Sequence, residues 1–192
     1  MKITIESDNA KFLAHLQELA DKVAAPAQAS ALNSAAGNVR SKSIQIAKSA
    51  TGVPTSILKR RIAVPKSRRA TIRNVEVIIF GGLWPVKVSK LTPAPRKLKG
   101  GGVKYKTMPG QPISPRAFIA NNTNGSLSVF ERKGEARLPI RNITVDISGA
   151  VKSAIAGYLA SGAAKAYYEK MLLSQMDRRV RGSLHRQGLT VK

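Results

Sequence analysis

The chain has 192 residues, 43% of them apolar, which suits one domain, or one domain with arms, around an alanine-rich core. It has no cysteine, so disulfides and thiolate metal sites are excluded. Its 33 basic and 10 acidic residues give a net charge of +23, and such a surface faces a polyanion or an acidic protein.

The charge is unevenly spread. Between Lys22 and Phe130 the only acid is Glu76, against 19 lysines and arginines. A solvated face usually mixes both signs. The longest apolar run, Ala154 to Ala164, is too short for a membrane span and is flanked by Lys152 and Lys165. Met1 to Glu6 lacks the apolar segment of a signal peptide. The absence of cysteine fits synthesis in a reducing cytosol.

Lys2 to Glu6 alternates as a short strand does. Ser7, Asp8 and Asn9 are N-cap types, and a helix is expected from there to about Ala24, with Phe12, Leu16, Leu19 and Val23 on one face. His15 lies in it, a lone histidine without the company of a ligand set. Pro26 suits the first turn of a second helix, running to about Ala50. Leu32, Ala36, Val39, Ile46 and Ala50 form its predicted stripe, interrupted by Ser43. Thr51-Gly52 ends it, and Pro54 opens a short helix, Thr55 to Ile62.

Ile46 to Ile62 has the outline of a DNA-reading helix-turn-helix. Lys48, however, stands four places before the turn glycine, where the two helices would touch, and burying its charge would be costly. A helical corner with a basic outer surface is the preferred reading.

Thr71 to Phe80 is the best strand pattern. It alternates up to Glu76 and then becomes continuously apolar, which predicts burial on both faces near Phe80. Gly81-Gly82 breaks it, and Val86 and Val88 alternate in a partner strand. Trp84 at the junction is expected to be a core anchor rather than a stacking platform. Leu91 to Pro115 is rich in proline, contains Gly100-Gly101-Gly102, and is predicted to be a mobile arm or a long hairpin. The triple glycine is not a phosphate loop, because no Gly-Lys-Ser/Thr follows it.

Asn124-Gly125 joins two strands, Phe118 to Ala120 and Leu127 to Phe130, in a hairpin. Leu127 and Val129 are expected on one face, with Ser126, Ser128 and Phe130 on the other. Lys133-Gly134 offers a second turn. Arg137 to Ile140 reads as an extended piece placed by Pro139 at a sheet edge. Ile143, Val145 and Ile147 alternate as a third strand. Ser148 is the expected cap of the helix that follows, from Gly149 to about Gln187 with a change near Gly162. Ile155, Leu159, Ala163 and Ala166 make one predicted stripe, continued by Tyr168, Leu172 and Met176. The basic tail holds His185, an unsuitable catalytic group.

No spacing offers a metal site, no carboxylate pair offers acid–base or two-metal chemistry, and no serine sits in a nucleophile elbow. The chain is read as a non-enzyme without cofactor. The fold is read as α+β: N-terminal helices over 1–62, a mainly antiparallel sheet over 63–147 with a long basic arm at 91–115, and a C-terminal helix over 148–187 packed on the sheet.

The run Ala117-Phe118-Ile119, then Asn124-Gly125, then a strand ending in Glu131-Arg132, then Leu138-Pro139-Ile140, resembles the minor tail protein Z family of long-tailed bacteriophages. The likeness extends to the alanine-rich helix with Leu32-Asn33, the Thr51-Gly52 break, the basic middle and the C-terminal helix, in that order. The resemblance implies a virion protein, made in the host cytoplasm, that completes the tail at its head-proximal end. It would support head–tail joining and the placing of the DNA end. The implied partners are other tail and connector proteins, copies of itself in a ring, commonly hexameric in the wider group, and phage DNA.

The charge adds candidate contact residues: Lys59, Arg60, Arg61, Lys66, Arg68, Arg69, Arg96, Lys97, Lys99, Lys104 and Lys106. These would hold a phosphate backbone without reading bases. Two alternatives stand beside this. One is a free, sequence-nonspecific nucleic-acid-binding protein; the other is a tail ring protein that docks acidic neighbours without touching DNA.

Overall fold

A computed structural model describes residues 17, 20–91, 94–105 and 113–186. The expected strand at Lys2 to Glu6, most of the first helix with His15, and the end of the chain lie outside these. So do Lys106 and the Thr107-Met108-Pro109 segment. The architecture is α+β, as expected, and every strand pair is antiparallel.

In chain order, a π-helical turn at Ala20–Ala24 runs straight into α1, Ala25–Thr51, and α2 follows at Thr55–Arg61. The strands are β1 Ile62–Ala63, β2 Phe80–Gly81, β3 Val86–Lys87, β4 Arg96–Lys97, β5 Val103–Lys104, β6 Ile113–Ser114, β7 Ala117–Asn121, β8 Leu127–Arg132, β9 Ile140–Asn142 and β10 Thr144–Val145. Two helices close the chain: α3, Ser148–Ala160, and α4, Ala163–Arg186. The break between them is Gly162, whose φ of 74° suits glycine alone.

The single sheet expected is instead four small ones: β1-β2, β3-β10, β4-β5-β6 and β7-β8-β9. The reason is local. Thr71 to Ile79 has the pattern of a strand but forms none. Thr71 N–H donates to Asn74 O at 2.8 Å, and Asn74 N–H donates to Thr71 Oγ1 at 3.1 Å. That turn breaks the run, and only Phe80–Gly81 pairs, with Ala63 and Ile62. Burial on both faces does not occur either, since Ile78 and Phe80 are 42% and 48% exposed. Likewise β3 pairs with β10, not with the 71–80 segment.

The chain divides into two compact units. One takes in 39–63 and 79–161. Its core joins Ile44 and Ala47 of α1, Val53, Leu58 of α2, Ile62, Val86, Val88, Leu91, Val103, Val129, Ile147, and Val151 and Ala154 of α3. Ile143 stitches the strands: its N–H donates to Val129 O at 2.9 Å, and its carbonyl accepts Val88 N–H at 3.1 Å. The β7–β8 hairpin forms as expected, but over a five-residue loop in which Gly125 alone has positive φ. Asn122 organises that loop, its Oδ1 accepting Asn124 and Ser126 N–H. Ser128 and Val129 are buried and Leu127, at the start of β8, is 65% exposed, so burial does not follow the alternation of faces there.

The other unit takes in 1–38, 64–78 and 162–192. Ala27, Ala31 and Ala35 give α1 a slim buried edge at spacing four. Arg179 of α4 donates through Nη2 to Pro26 O and to Ser30 Oγ at 2.9 Å, tying α4 to α1. On α4, Tyr168, Leu172 and Met176 of the predicted stripe are half-buried, and Ala164, outside that stripe, is buried. Leu159, Ala163 and Ala166 are exposed. Along α1, Ser43 is buried within the stripe and Ile46 is 44% exposed outside it.

Ser148 is not the cap of α3 but its first residue; Ile147 holds the N-cap position, with no side-chain cap bond, and Asp146 just before it meets the first turn. The Asp146 carboxylate accepts Ser148 N–H at 2.8 Å and Ser148 Oγ–H at 3.0 Å. These hydrogen bonds, the backbone one foremost, hold the Asp146 carboxyl below its ordinary range.

Candidate nucleic-acid interface

Three of the candidate cations sit on the last turn of α2. Pro54 starts this helix, Leu58 anchors it in the core, and Gly52 at φ 69° turns the chain out of α1. Lys59, Arg60 and Arg61 then crowd its C-terminal end, where cations meet the negative end of the helix dipole favourably. Arg40 of α1 fixes that end, donating from Nε to Ile62 O at 2.8 Å and from Nη2 to Lys59 O at 3.0 Å. Lys48 is exposed and Ala47 faces the core, so the lysine does not hold α1 and α2 apart, as the sequence had suggested.

Arg61 differs from its neighbours. Its guanidinium lies 4.0 Å from the ring centroid of Trp84, and its Nη1 is buried without a hydrogen-bond partner. Burial lowers its pKa from the ordinary arginine value, yet arginine stays charged. Trp84 is not a core anchor, for the side chain is 53% exposed. Phe80 stands beside it at 6.2 Å between ring centroids.

Arg96, Lys97, Lys99 and Lys104 share one hairpin. β4 and β5 pair Arg96 with Lys104 and Lys97 with Val103. The turn between them closes through Leu98, whose carbonyl accepts Gly101 N–H at 3.2 Å and whose N–H donates to Gly102 O at 3.1 Å. Of the two expectations for this segment, the hairpin describes 94–105. Val103 is fully buried in the core, so this part is anchored. Arg96 and Lys104 are exposed and directly opposite, a like-charge pairing that costs stability in an isolated sheet.

Lys66, Arg68 and Arg69 lie in and beside a 3-10 turn, Lys66–Arg68, in the other unit. All three are exposed. The structure therefore brings together Lys59 with Arg60, Lys66 with Arg68 and Arg69, and the four hairpin cations, as three local clusters. Among the described residues none of these cations has an acidic partner; the ion pairs present are Arg141–Glu131, Lys165–Glu169 and Arg181–Asp177. Also among the described residues, no group of acids and histidines could hold a metal, and no helix is long and apolar enough to cross a membrane.

Sequence reasoning missed the Arg61–Trp84 stack. Its signal was Gly81-Gly82 before the tryptophan: a Cβ on Gly82 would come within 2.8 Å of the indole. It also missed an open groove of about 440 Å³ lined by Pro115, Arg116, Phe118, Arg132, Gly134 and Glu135.

The geometry is that of an α+β chain carrying three local clusters of exposed cations. Comparison with protein families gives the class: it is a structural protein of a phage tail. The profile of prophage minor tail protein Z (GPZ) matches residues 9–187, and the chain belongs to that family. Neither the curated proteins nor the solved structures searched gave a match.

Proposed function

We propose that this protein completes the tail at its head-proximal end, assembles there as a ring of its own copies, and holds the DNA end through its phosphates. Membership of the minor tail protein Z family supports the tail role. The carrying observation for DNA is the β4–β5 hairpin, where Arg96 and Lys104 face each other and Lys97 and Lys99 flank them with no acid nearby in sequence. A fold that places two cations opposite one another gains from an anion that separates their charges. Lys59 and Arg60 are further candidate phosphate contacts in the same unit, and Lys66, Arg68 and Arg69 are separate candidates in the other unit. None of this reads bases, so unrelated duplexes should bind alike. The family's structural role supports a non-enzymatic reading.

Salt titration tests the DNA contact. Duplex affinity should fall as a power of salt concentration. Changing Arg96, Lys97, Lys99 and Lys104 together to Gln should flatten the slope of log K against log salt by about 3 to 4, at about 0.9 per phosphate contact. The variant should fold, because exposed charges contribute little to stability. An unchanged slope and affinity, together with failure to join purified tails, would assign the hairpin to an acidic protein neighbour instead.

A further inference from the structure

We propose that Trp84 is a stacking platform for an unpaired DNA base, with Lys59 and Arg60 placed for the flanking phosphates. This rests on the DNA-contact reading and deepens it, adding single-stranded DNA as a ligand class to a backbone grip that duplexes share.

The indole is held before any ligand arrives. Arg61 covers one face at 4.0 Å, Phe80 leans against it at 6.2 Å, and the absent side chain of Gly82 gives it room. Arg61 is itself fixed through its carbonyl, which accepts Gly82 N–H at 2.7 Å. Despite this support Trp84 remains 53% exposed and Phe80 48% exposed. An apolar ring locked in place but left in water gains from a flat partner on its open face. The surroundings choose between partners. Lys59 and Arg60 precede Arg61 on the same helical turn, both exposed and without an acidic partner among the described residues. Aromatic rings beside cations are the combination that binds single strands, since every base has a π-face and every linkage a phosphate. A paired base, already stacked in its duplex, cannot use the platform.

Trp84 is the chain's one tryptophan, so emission excited at wavelengths where its four tyrosines do not absorb reports on this site alone. A short oligothymidylate added to the full protein at low salt should quench it. A labelled form of the same oligonucleotide should bind Trp84→Ala about tenfold more weakly. Trp84→Phe should retain most of the affinity, and both variants should bind a duplex of equal charge as the parent does. If the duplex binds with its salt dependence while oligothymidylate leaves the fluorescence unquenched and binds Trp84→Ala unweakened, the platform is refuted and the backbone grip stands. If neither nucleic acid binds, both readings fall. A fluorescence change confined to incorporation into tails, with no response to oligothymidylate, would make Trp84 a protein-docking residue and also overturn the proposal.

Discussion

At the scale of single residues, the arginines divide by what their guanidinium groups already hold. Arg40 makes two hydrogen bonds to carbonyls at the end of α2, at Ile62 and Lys59. Arg40→Ala should lower stability by about 2 kcal/mol in chemical denaturation, and Arg40→Lys should not restore it, because an ammonium lacks the planar fork. Arg61 is occupied by Trp84. It is therefore a poorer phosphate ligand than Arg60, although the sequence presents the two as equals. Gly82 is the hidden partner of that pair. Gly82→Ala places a methyl within 2.8 Å of the outer edge of the indole, which forces the ring out of its seat against Arg61. The expected outcome is a shifted tryptophan emission with little loss of stability; an unshifted emission would mean the stack does not depend on that glycine.

At the scale of elements, short-range chemistry was legible and pairing was not. The ends of α1, the start of α2, the β7–β8 hairpin and the Gly162 break follow from proline, glycine and asparagine at fixed positions, which act within a few residues. Thr71 to Ile79 shows the limit. Its alternation is that of a strand, but strandhood needs a partner, and Asn33 takes Ala70 instead, donating from Nδ2 to its carbonyl and accepting its N–H. Ser148 does not cap α3 but opens it, and the carboxylate that meets its N–H is that of Asp146, another residue of capping type. Asp146 has a depressed carboxyl pKa, so its contribution is present above the unfolded carboxylate pKa and is lost as pH falls through the folded value. Asp146→Ala should lower the melting temperature at neutral pH and remove that part of the acid dependence. The hairpin offers the opposite trade. Lys104→Glu turns a like-charge cross-strand pair into an attractive one, and should add about 0.5 kcal/mol of stability while weakening duplex binding. Weakened binding without loss of fold would mark Lys104 as a contact kept at some cost to stability.

At the scale of the whole molecule, the basic composition was readable at once, but its grouping into three clusters was not. Lys59 and Lys66 are close in the chain yet fall in different units, because Val64 to Ile78 leaves one unit for the other. Spacing along a sequence cannot report that exchange. The core of the 39–63 and 79–161 unit also draws single residues from many short elements, which no periodicity of one element encodes. Leu58→Ala, at a fully buried site, should cost about 3 kcal/mol and loosen α2 with its cations. Duplex affinity should then fall even though no charge has changed.

The most direct measurement of the central claim is a density map of the assembled tail with the DNA end in place. The account predicts a closed ring of this chain at the head-proximal end, with the 96–104 hairpin and the end of α2 against the phosphate backbone. A chain located elsewhere in the tail, or a hairpin covered by an acidic protein surface with no DNA beside it, would contradict the account.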